Sequence, residues 1–253
     1  MNLFKKLFGS NDKQSELENI LKTLVKPATK LVLEPATREP DSHLTSHFGG
    51  VPYFEKGHHW PGNRAEEALT FVFQIFNDGK INLPKEIKLV QFFYDFELSP
   101  WSTEDDGWLV KIYDKLDASK VKLREGYDSG QELKYCKIKF EQVMSLPDWE
   151  GIQGWSEKAA ELSAQINDDE PWEAYDLAAK KITGQDDYQS QLGGYPKWVQ
   201  GESTSLLEDG TQLPLLFQID SEELADLMWG DAGCVYVFYD AASEMISFEL
   251  QCH

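Results

Sequence analysis

Four of the five histidines lie within 17 residues of the sequence, a clustering that is typical of metal sites. His43 and His47 are four residues apart, which is the spacing of a chelating pair on a helix. The glycine pair at 49–50 argues against a helix there, and adjacent histidines at 58–59 would point to opposite faces of a strand. The residue that corresponds to His47 in the sequence repeat described below is Gln191, which does not suit zinc. We therefore expect no metal ion and no other cofactor.

The three cysteines are Cys136, Cys234 and Cys252, and they are too widely spaced for a disulfide framework or a zinc knuckle. Cys136 and Cys234 lie in strand-like runs, where we expect core thiols, and no base is paired with Cys252. The chain contains no Gly-x-Ser-x-Gly motif. Covalent catalysis is therefore not indicated, and the cysteine usage favours a reducing, cytoplasmic compartment.

Two glutamines, Gln74 and Gln218, are each the lone polar residue of an apolar run. A buried glutamine must satisfy its hydrogen bonds, so these two either tie strands together or face a shared cavity. Asp231, in a Trp-Gly-Asp-Ala-Gly segment, either caps a turn or contacts a ligand. With Trp60 and Trp229, these residues would supply the aromatic walls and few polar groups of a small-ligand pocket. We predict these five as binding residues and predict no catalytic residue.

The chain contains two similar segments about 144 residues apart. The matched pairs are 48–53 with 192–197, 71–75 with 215–219, and, at a shift of 145, 93–95 with 238–240. Each segment has a Gly-Gly-x-Pro loop, an apolar strand with one glutamine, and an aromatic strand that ends in Tyr-Asp. The glycine pair followed by x-Pro predicts a fixed corner rather than a phosphate-binding loop. We predict two pseudo-repeated β units, at 46–98 and 190–242, that superpose.

The remaining elements surround these two units. Apolar residues from Leu17 to Val25 recur at helical spacing, which predicts a helix over 11–26 that Pro27 ends. An insert at 99–189 contains strands and a helix over 155–183, with Pro171 at a first helical turn and Gly184 at a helix end. Strands are predicted at 31–33, 69–76, 89–96, 108–113, 133–143, 213–219 and 234–239, with a C-terminal strand within 244–251. These elements predict a single α+β domain over 1–253, mainly β.

Composition and charge limit the classes of function. The 253 residues include 24 Lys and Arg and 44 Asp and Glu, a net charge of −20. Such a chain is repelled by nucleic-acid phosphates, and no apolar run is long enough to span a membrane. Residues 127–253 hold 7 basic and 25 acidic residues, a charge of −18. This acidic half, with its loops at 168–170 and 186–187, is either a solvated surface or a face for a basic partner.

Several segments together resemble the YwqG-like family, a bacterial family classed as a domain of unknown function. The similar segments run from about residue 46 to the C-terminus, at 49–52, 60–61, 73–75, 192–196, 199–200, 216–220, 229–233 and 250–252. Their order and spacing carry the resemblance, above all the Trp-Gly-Asp-Ala-Gly segment before a strand. The resemblance implies a β-rich single domain with internal pseudo-symmetry, and it implies no catalytic residue and no known substrate.

These observations favour a cytoplasmic, non-enzymatic module that binds a small molecule or a protein. The alternative is an immunity-type protein that neutralises a basic toxin through its acidic C-terminal half. A third hypothesis is an enzyme that uses Asp231 as acid and base, for which no second catalytic partner is evident. Nucleic acid is not an expected partner, and no transmembrane segment is expected.

Overall fold

The computed structural model describes residues 3–36, 44–117, 119, 121, 132–184 and 190–253. The helices are α1 (Leu3–Leu24), α2 (Ile152–Trp155), α3 (Glu157–Ile166) and α4 (Pro171–Thr183). The strands are β1 (Lys26–Pro35), β2 (His47–Phe48), β3 (Thr70–Phe76), β4 (Leu89–Tyr94), β5 (Trp108–Tyr113), β6 (Cys136–Ser145), β7 (Gln191–Leu192), β8 (Leu215–Asp220), β9 (Cys234–Asp240) and β10 (Met245–Gln251).

All ten of these strands form one antiparallel sheet in the order β10-β9-β8-β7-β1-β6-β2-β3-β4-β5. The long strands β1 and β6 pair along ten residues at its centre, from Lys26 opposite Ser145 to Pro35 opposite Cys136. The sheet curls, so that Ser102, in the loop before β5, forms a bridge with Glu249 of β10. The mainly β, single-domain fold predicted from the sequence is confirmed.

An aromatic core joins the two ends of the sheet. Phe73 of β3 and Phe92 of β4 both contact Phe217 of β8, with ring centroids 5.1 and 5.7 Å from that of Phe217. All three rings are fully buried. Because aromatic side chains bury large apolar areas, these contacts stabilise the packing of one half of the sheet against the other.

The helices pack together as a separate layer around Leu17, Leu21, Leu162 and Tyr175, all of which are buried. The region predicted to be helical over 155–183 is covered by α3 and α4, with Trp155 as the last residue of α2, and it is interrupted at residue 156 and at 167–170. Ser156 separates α2 from α3, and its side chain caps α3 by accepting a hydrogen bond from the Ala159 N–H.

The predicted helix ends at Pro171 and Gly184 are confirmed. Pro171 begins α4, and Gly184 follows it with a left-handed φ of 70°. The helix predicted over 11–26 instead spans Leu3–Leu24. It ends earlier than predicted because Lys26 already pairs with β6.

Strand pairing follows the same pattern in the two segments that are similar in sequence. His47 lies opposite Gln74 in the β2–β3 pair, and Gln191 lies opposite Gln218 in the β7–β8 pair. The β3–β4 and β8–β9 ladders both shift register near the start of the unit's long strand, between 71 and 73 and between 215 and 217. That the whole segments 46–98 and 190–242 superpose as a duplication stays a prediction.

Within the described part of the chain, no helix has the length and apolarity that crossing a membrane requires.

Candidate functional site

A cavity of about 300 Å³ lies beside the loop 193–198, which follows β7. Its walls come from this loop, from the start of β1, from the turn before α2 with α2 itself, and from the segment 212–215. A second cavity, of about 400 Å³, lies near Tyr135 and Phe140 on β6 and its approach. The first cavity is the better candidate site because tryptophans, tyrosine and fixed carboxylates surround it.

The backbone of the loop is held in place by its glycines. Gly193 and Gly194 have left-handed φ values of 63° and 74°. A Cβ on Gly194 would lie 2.7 Å from the Cβ of Ser145 and 2.8 Å from that of Ala28, so the loop approaches the central strands as closely as a glycine permits. The Ser145 hydroxyl also accepts a hydrogen bond from the Tyr195 N–H, at 2.9 Å.

Two buried glutamines hold the same loop from behind. The amide nitrogen of Gln191 donates to the carbonyl oxygens of Gly193 and Tyr195, at 3.0 and 2.9 Å. The side-chain oxygen of Gln218 accepts a hydrogen bond from the Lys197 N–H, at 2.9 Å. Because both glutamines are buried, these bonds fix the loop strongly.

An aromatic pair with a lysine forms one wall of the cavity. The rings of Trp155 and Tyr195 meet edge to face, with centroids 4.9 Å apart. The Lys26 ammonium lies 4.1 Å from each ring centroid, which is cation–π geometry. Desolvation lowers the pKa of Lys26. The start of β1 is thus attached to both α2 and the loop.

Trp198 and Phe238 form the apolar floor together with Leu213 and Leu215. The Trp198 and Phe238 rings are 6.0 Å apart and inclined by 26°. At the rim, the Gln212 side-chain nitrogen donates to Glu202 Oε1 at 2.9 Å.

Asp148 is the titratable group most altered by this environment. One of its carboxylate oxygens accepts the Gly151 N–H and the other accepts the Trp198 N–H. Burial raises the pKa of Asp148 to about 6, against the opposing effect of these two bonds and of the Lys197 charge. Burial lowers the pKa of Lys197, and the charges of Asp148 and Asp176 counteract part of that shift. The site therefore carries a carboxyl group that exchanges a proton near neutral pH.

The five binding residues predicted from the sequence all lie in the described part of the chain, and none lines either cavity. Gln74 and Gln218 are fully buried, and their contacts favour the structural alternative. Gln74 accepts the Tyr53 N–H at 2.7 Å and donates to the Thr45 carbonyl at 2.8 Å. Gln218 acts behind the cavity loop, as described above.

The other three predicted residues lie in two separate places, with Trp60 in one and with Trp229 and Asp231, two residues apart in the sequence, in the other. Trp60 packs in a small cluster with Phe54, whereas Trp229 stacks on Phe96 in the central core. Asp231 is exposed in a turn closed by a hydrogen bond between the Gly233 N–H and the Trp229 carbonyl. The structure therefore does not bring the five together, and their contact with a ligand stays a prediction.

His47, Cys136 and Cys234 are buried in the described structure. His47 Nδ1 donates to the Gly49 carbonyl at 2.7 Å, which is the bond that Gln191 makes to Gly193 in the second segment. Cys136 and Cys234 are buried, as expected. Within the described ranges no group of three potential ligands could hold a metal ion. His43 and the acidic loop at 186–187 lie outside the described residues, and the loop at 168–170 is exposed.

Sequence reasoning missed most of this cavity. Trp198 follows the Gly-Gly-x-Pro loop by two residues, so its proximity to that loop was the available signal. Asp148, Trp155 and Lys26 come from segments outside the two similar units. Only the pairing of β1 with β6 and β7 brings them to the loop.

Comparison with known families gives a match, whereas comparison with curated proteins gives none. The model of a family described as Domain of unknown function (DUF1963) matches residues 46–243, more than three quarters of the chain. A search of curated proteins finds no match to it.

Proposed function

We propose that this chain, which belongs to the family of the domain of unknown function DUF1963, is a non-enzymatic binding module whose 300 Å³ cavity takes a small ligand. The proposal includes the finer assignments to a YwqG-like group and to the bacterial cytoplasm. The observation that carries it is the fixed loop 193–198, which places aromatic rings and a few polar groups around a preformed cavity.

The construction of the cavity supports binding. Ligand sites in proteins are concave, mostly apolar and largely preformed, with a few polar groups that orient the ligand. Here Trp198, Leu213, Leu215 and Phe238 supply the apolar surface. Glutamine side chains and left-handed glycines hold the loop before any ligand arrives, which reduces the entropy lost on binding.

The role of Asp148 supports a binding module over an enzyme. Each of its carboxylate oxygens is engaged by a backbone N–H of the cavity wall. These bonds tie the turn at Gly151 to the loop at Trp198, so they give the carboxyl group a structural use that requires no catalytic role. Asp148 is accordingly assigned to holding the two walls together.

Titration with a library of small fragments tests the proposal, with binding followed by thermal shift and by the amide resonances of isotope-labelled protein. We expect fragments that raise Tm to shift the amides of Gly193, Gly194 and Gln212. Gly151→Leu adds a side chain to the wall and should abolish those shifts. Gln153→Leu, which adds the same side chain at an exposed position of α2, should retain them.

Two results would contradict the proposal. In one, no fragment moves these amides; in the other, fragments move them equally in Gly151→Leu. Capture of a basic protein that moves only amides of the acidic half would instead support the immunity-type alternative. If Gly151→Leu does not fold, the amide map of the wild-type protein decides the question alone.

A further inference from the structure

A hairpin of the first unit recurs, hydrogen bond for hydrogen bond, 144 residues later. In the first hairpin the Leu69 N–H donates to the Pro61 carbonyl, the Asn63 N–H donates to the Glu67 carbonyl, and Gly62 forms a bridge with Ala68. In the second hairpin the Leu213 N–H donates to the Ser205 carbonyl, the Leu207 N–H donates to the Thr211 carbonyl, and Leu206 forms a bridge with Gln212. Each residue of the second hairpin therefore corresponds to the residue 144 positions earlier in the first. By this correspondence Thr204 is the counterpart of Trp60.

The indole of Trp60 fills its own site in the first unit. It stacks on Phe54, with ring centroids 5.4 Å apart and planes inclined by 14°, and it meets Phe93 edge to face at 5.6 Å. Its Nε1 donates a hydrogen bond to the Leu69 carbonyl at 2.8 Å. A flat ring, two aromatic neighbours and one carbonyl acceptor thus define this site.

The counterparts of these three contacts all line the cavity of the second unit. Trp198 corresponds to Phe54, Phe238 to Phe93 and Leu213 to Leu69, and Thr204 lines the same cavity. The ring centroids of Trp198 and Phe238 are 6.0 Å apart, against 6.3 Å for Phe54 and Phe93, whereas the ring planes are inclined by 26° in the second unit and by 68° in the first. A threonine has no ring, so the space that an indole fills in the first unit is open in the second.

The acceptor of this second site is also available. Among the described residues, no hydrogen-bond donor reaches the Leu213 carbonyl, whereas the Leu69 carbonyl accepts the Trp60 indole. Leu213 itself is buried, so a ligand N–H that bonded to this oxygen would do so away from bulk water.

We propose that the cavity binds a flat bicyclic aromatic ring that carries a ring N–H, in the position that the Trp60 indole occupies in the first unit. The ring packs against Trp198 and Phe238 and donates its N–H to the Leu213 carbonyl. This assignment rests on the proposed binding function and specifies its ligand class. The ring belongs either to a free heterocycle or to a tryptophan side chain of a peptide, and both present the same chemistry.

Titrations of the whole chain with three probes test the assignment: indole, 1-methylindole and N-acetyl-tryptophanamide. We expect indole to bind and to shift the amides of Gly194 and Leu213. Because 1-methylindole has no N–H to donate, it should bind about tenfold more weakly, the loss expected for one buried hydrogen bond. Binding of N-acetyl-tryptophanamide as tight as that of indole would assign a peptide-borne ring, and binding of indole alone a free heterocycle.

Two substitutions at one position provide the matched comparison. Thr204→Trp should place an indole in the cavity, abolish indole binding and raise Tm, whereas Thr204→Val keeps the size of the side chain and should retain binding. Equal affinity for indole and 1-methylindole in the wild-type protein would overturn the hydrogen bond to Leu213, and with it the proposal, even if Thr204→Trp does not fold.

The amide shifts measured with indole and with other fragments distinguish a wrong ligand class from a wrong binding function. If indole shifts no cavity amide while other fragments do, the ligand class is wrong and the binding function stands. If no fragment of any kind shifts these amides, the binding function itself is wrong.

Discussion

The carboxyl group of Asp148 makes the stability of this protein depend on pH in a way that one substitution isolates. Burial raises its pKa from 3.8 to about 6 in the folded protein. Since the folded state holds the proton more tightly than the unfolded chain, the contribution of Asp148 to stability is greatest at low pH and is lost as the pH rises through about 6. The complete shift corresponds to about 3 kcal/mol, at roughly 1.36 kcal/mol per pKa unit.

Only part of that range is accessible, because the isoelectric point is about 4.6 and solubility falls near it. Between pH 5 and pH 8, linkage gives a loss of about 1.4 kcal/mol from this one group. Asp148→Asn removes the titration. It also loses one of the two N–H bonds, from Gly151 or Trp198, at a pH-independent cost of about 1–2 kcal/mol.

Urea unfolding of both proteins from pH 5 to pH 8 measures the effect. We expect the stability of Asp148→Asn relative to wild type to increase by about 1.4 kcal/mol across this range, whatever its value at pH 5. Other groups that titrate here, such as Glu222, with its pKa raised to about 6 by burial, are present in both proteins and cancel. Gln153→Leu, which changes an exposed residue with no titratable group, should run parallel to wild type. Parallel curves for Asp148→Asn would refute the desolvation of Asp148.

Three further predictions concern the loop behind the cavity and the acidic surface. Gly194→Ala should destabilise by about 3 kcal/mol or more in urea unfolding, because its Cβ would overlap the central strands, whereas Gly210→Ala, with a similar φ and open space, should cost about 1 kcal/mol. Gln218→Leu should cost about 2–3 kcal/mol, since it leaves a backbone N–H unpaired, and exposed Gln153→Leu should change stability by less than about 0.5 kcal/mol. Charge reversal of the loop at 168–170 should leave the unfolding midpoint unchanged. In pull-downs at low salt, a partner that wild type captures and the charge-reversed variant does not would indicate that this surface binds a basic protein, and high salt should remove the difference between the two proteins.

Much of the fold follows from local pattern. The strand predicted at 108–113 matches β5, and those at 69–76 and 234–239 match β3 and β9 to within one residue at each end, because alternation and apolar runs are local properties. The prediction at 31–33 covers only the middle of β1, which contains Pro27 and Lys26. Ten residues of pairing with β6 overcome the weak strand propensity of its beginning.

The site was far less predictable. The buried glutamines and the Gly-Gly-x-Pro corner could be recognised because each is unusual within its own segment. The cavity itself arises from residues that are unremarkable locally, such as Thr204, which matters only because its counterpart is Trp60. Asp148 and Lys26 reach the loop through pairing between distant strands, which no periodicity reveals.

The central position of β1 has a consequence for how the protein is made. Its partners β6 and β7 lie roughly 110 and 160 residues further along the chain. At about 5–20 residues per second, synthesis would leave β1 without a partner for many seconds. Charges along β1 discourage pairing with other nascent chains while the strand has no partner, and they come from Lys26, Lys30 and Glu34. The segment 46–243 made by itself would lack β1, so β6 and β7 would each have an unpaired edge at the middle of the sheet.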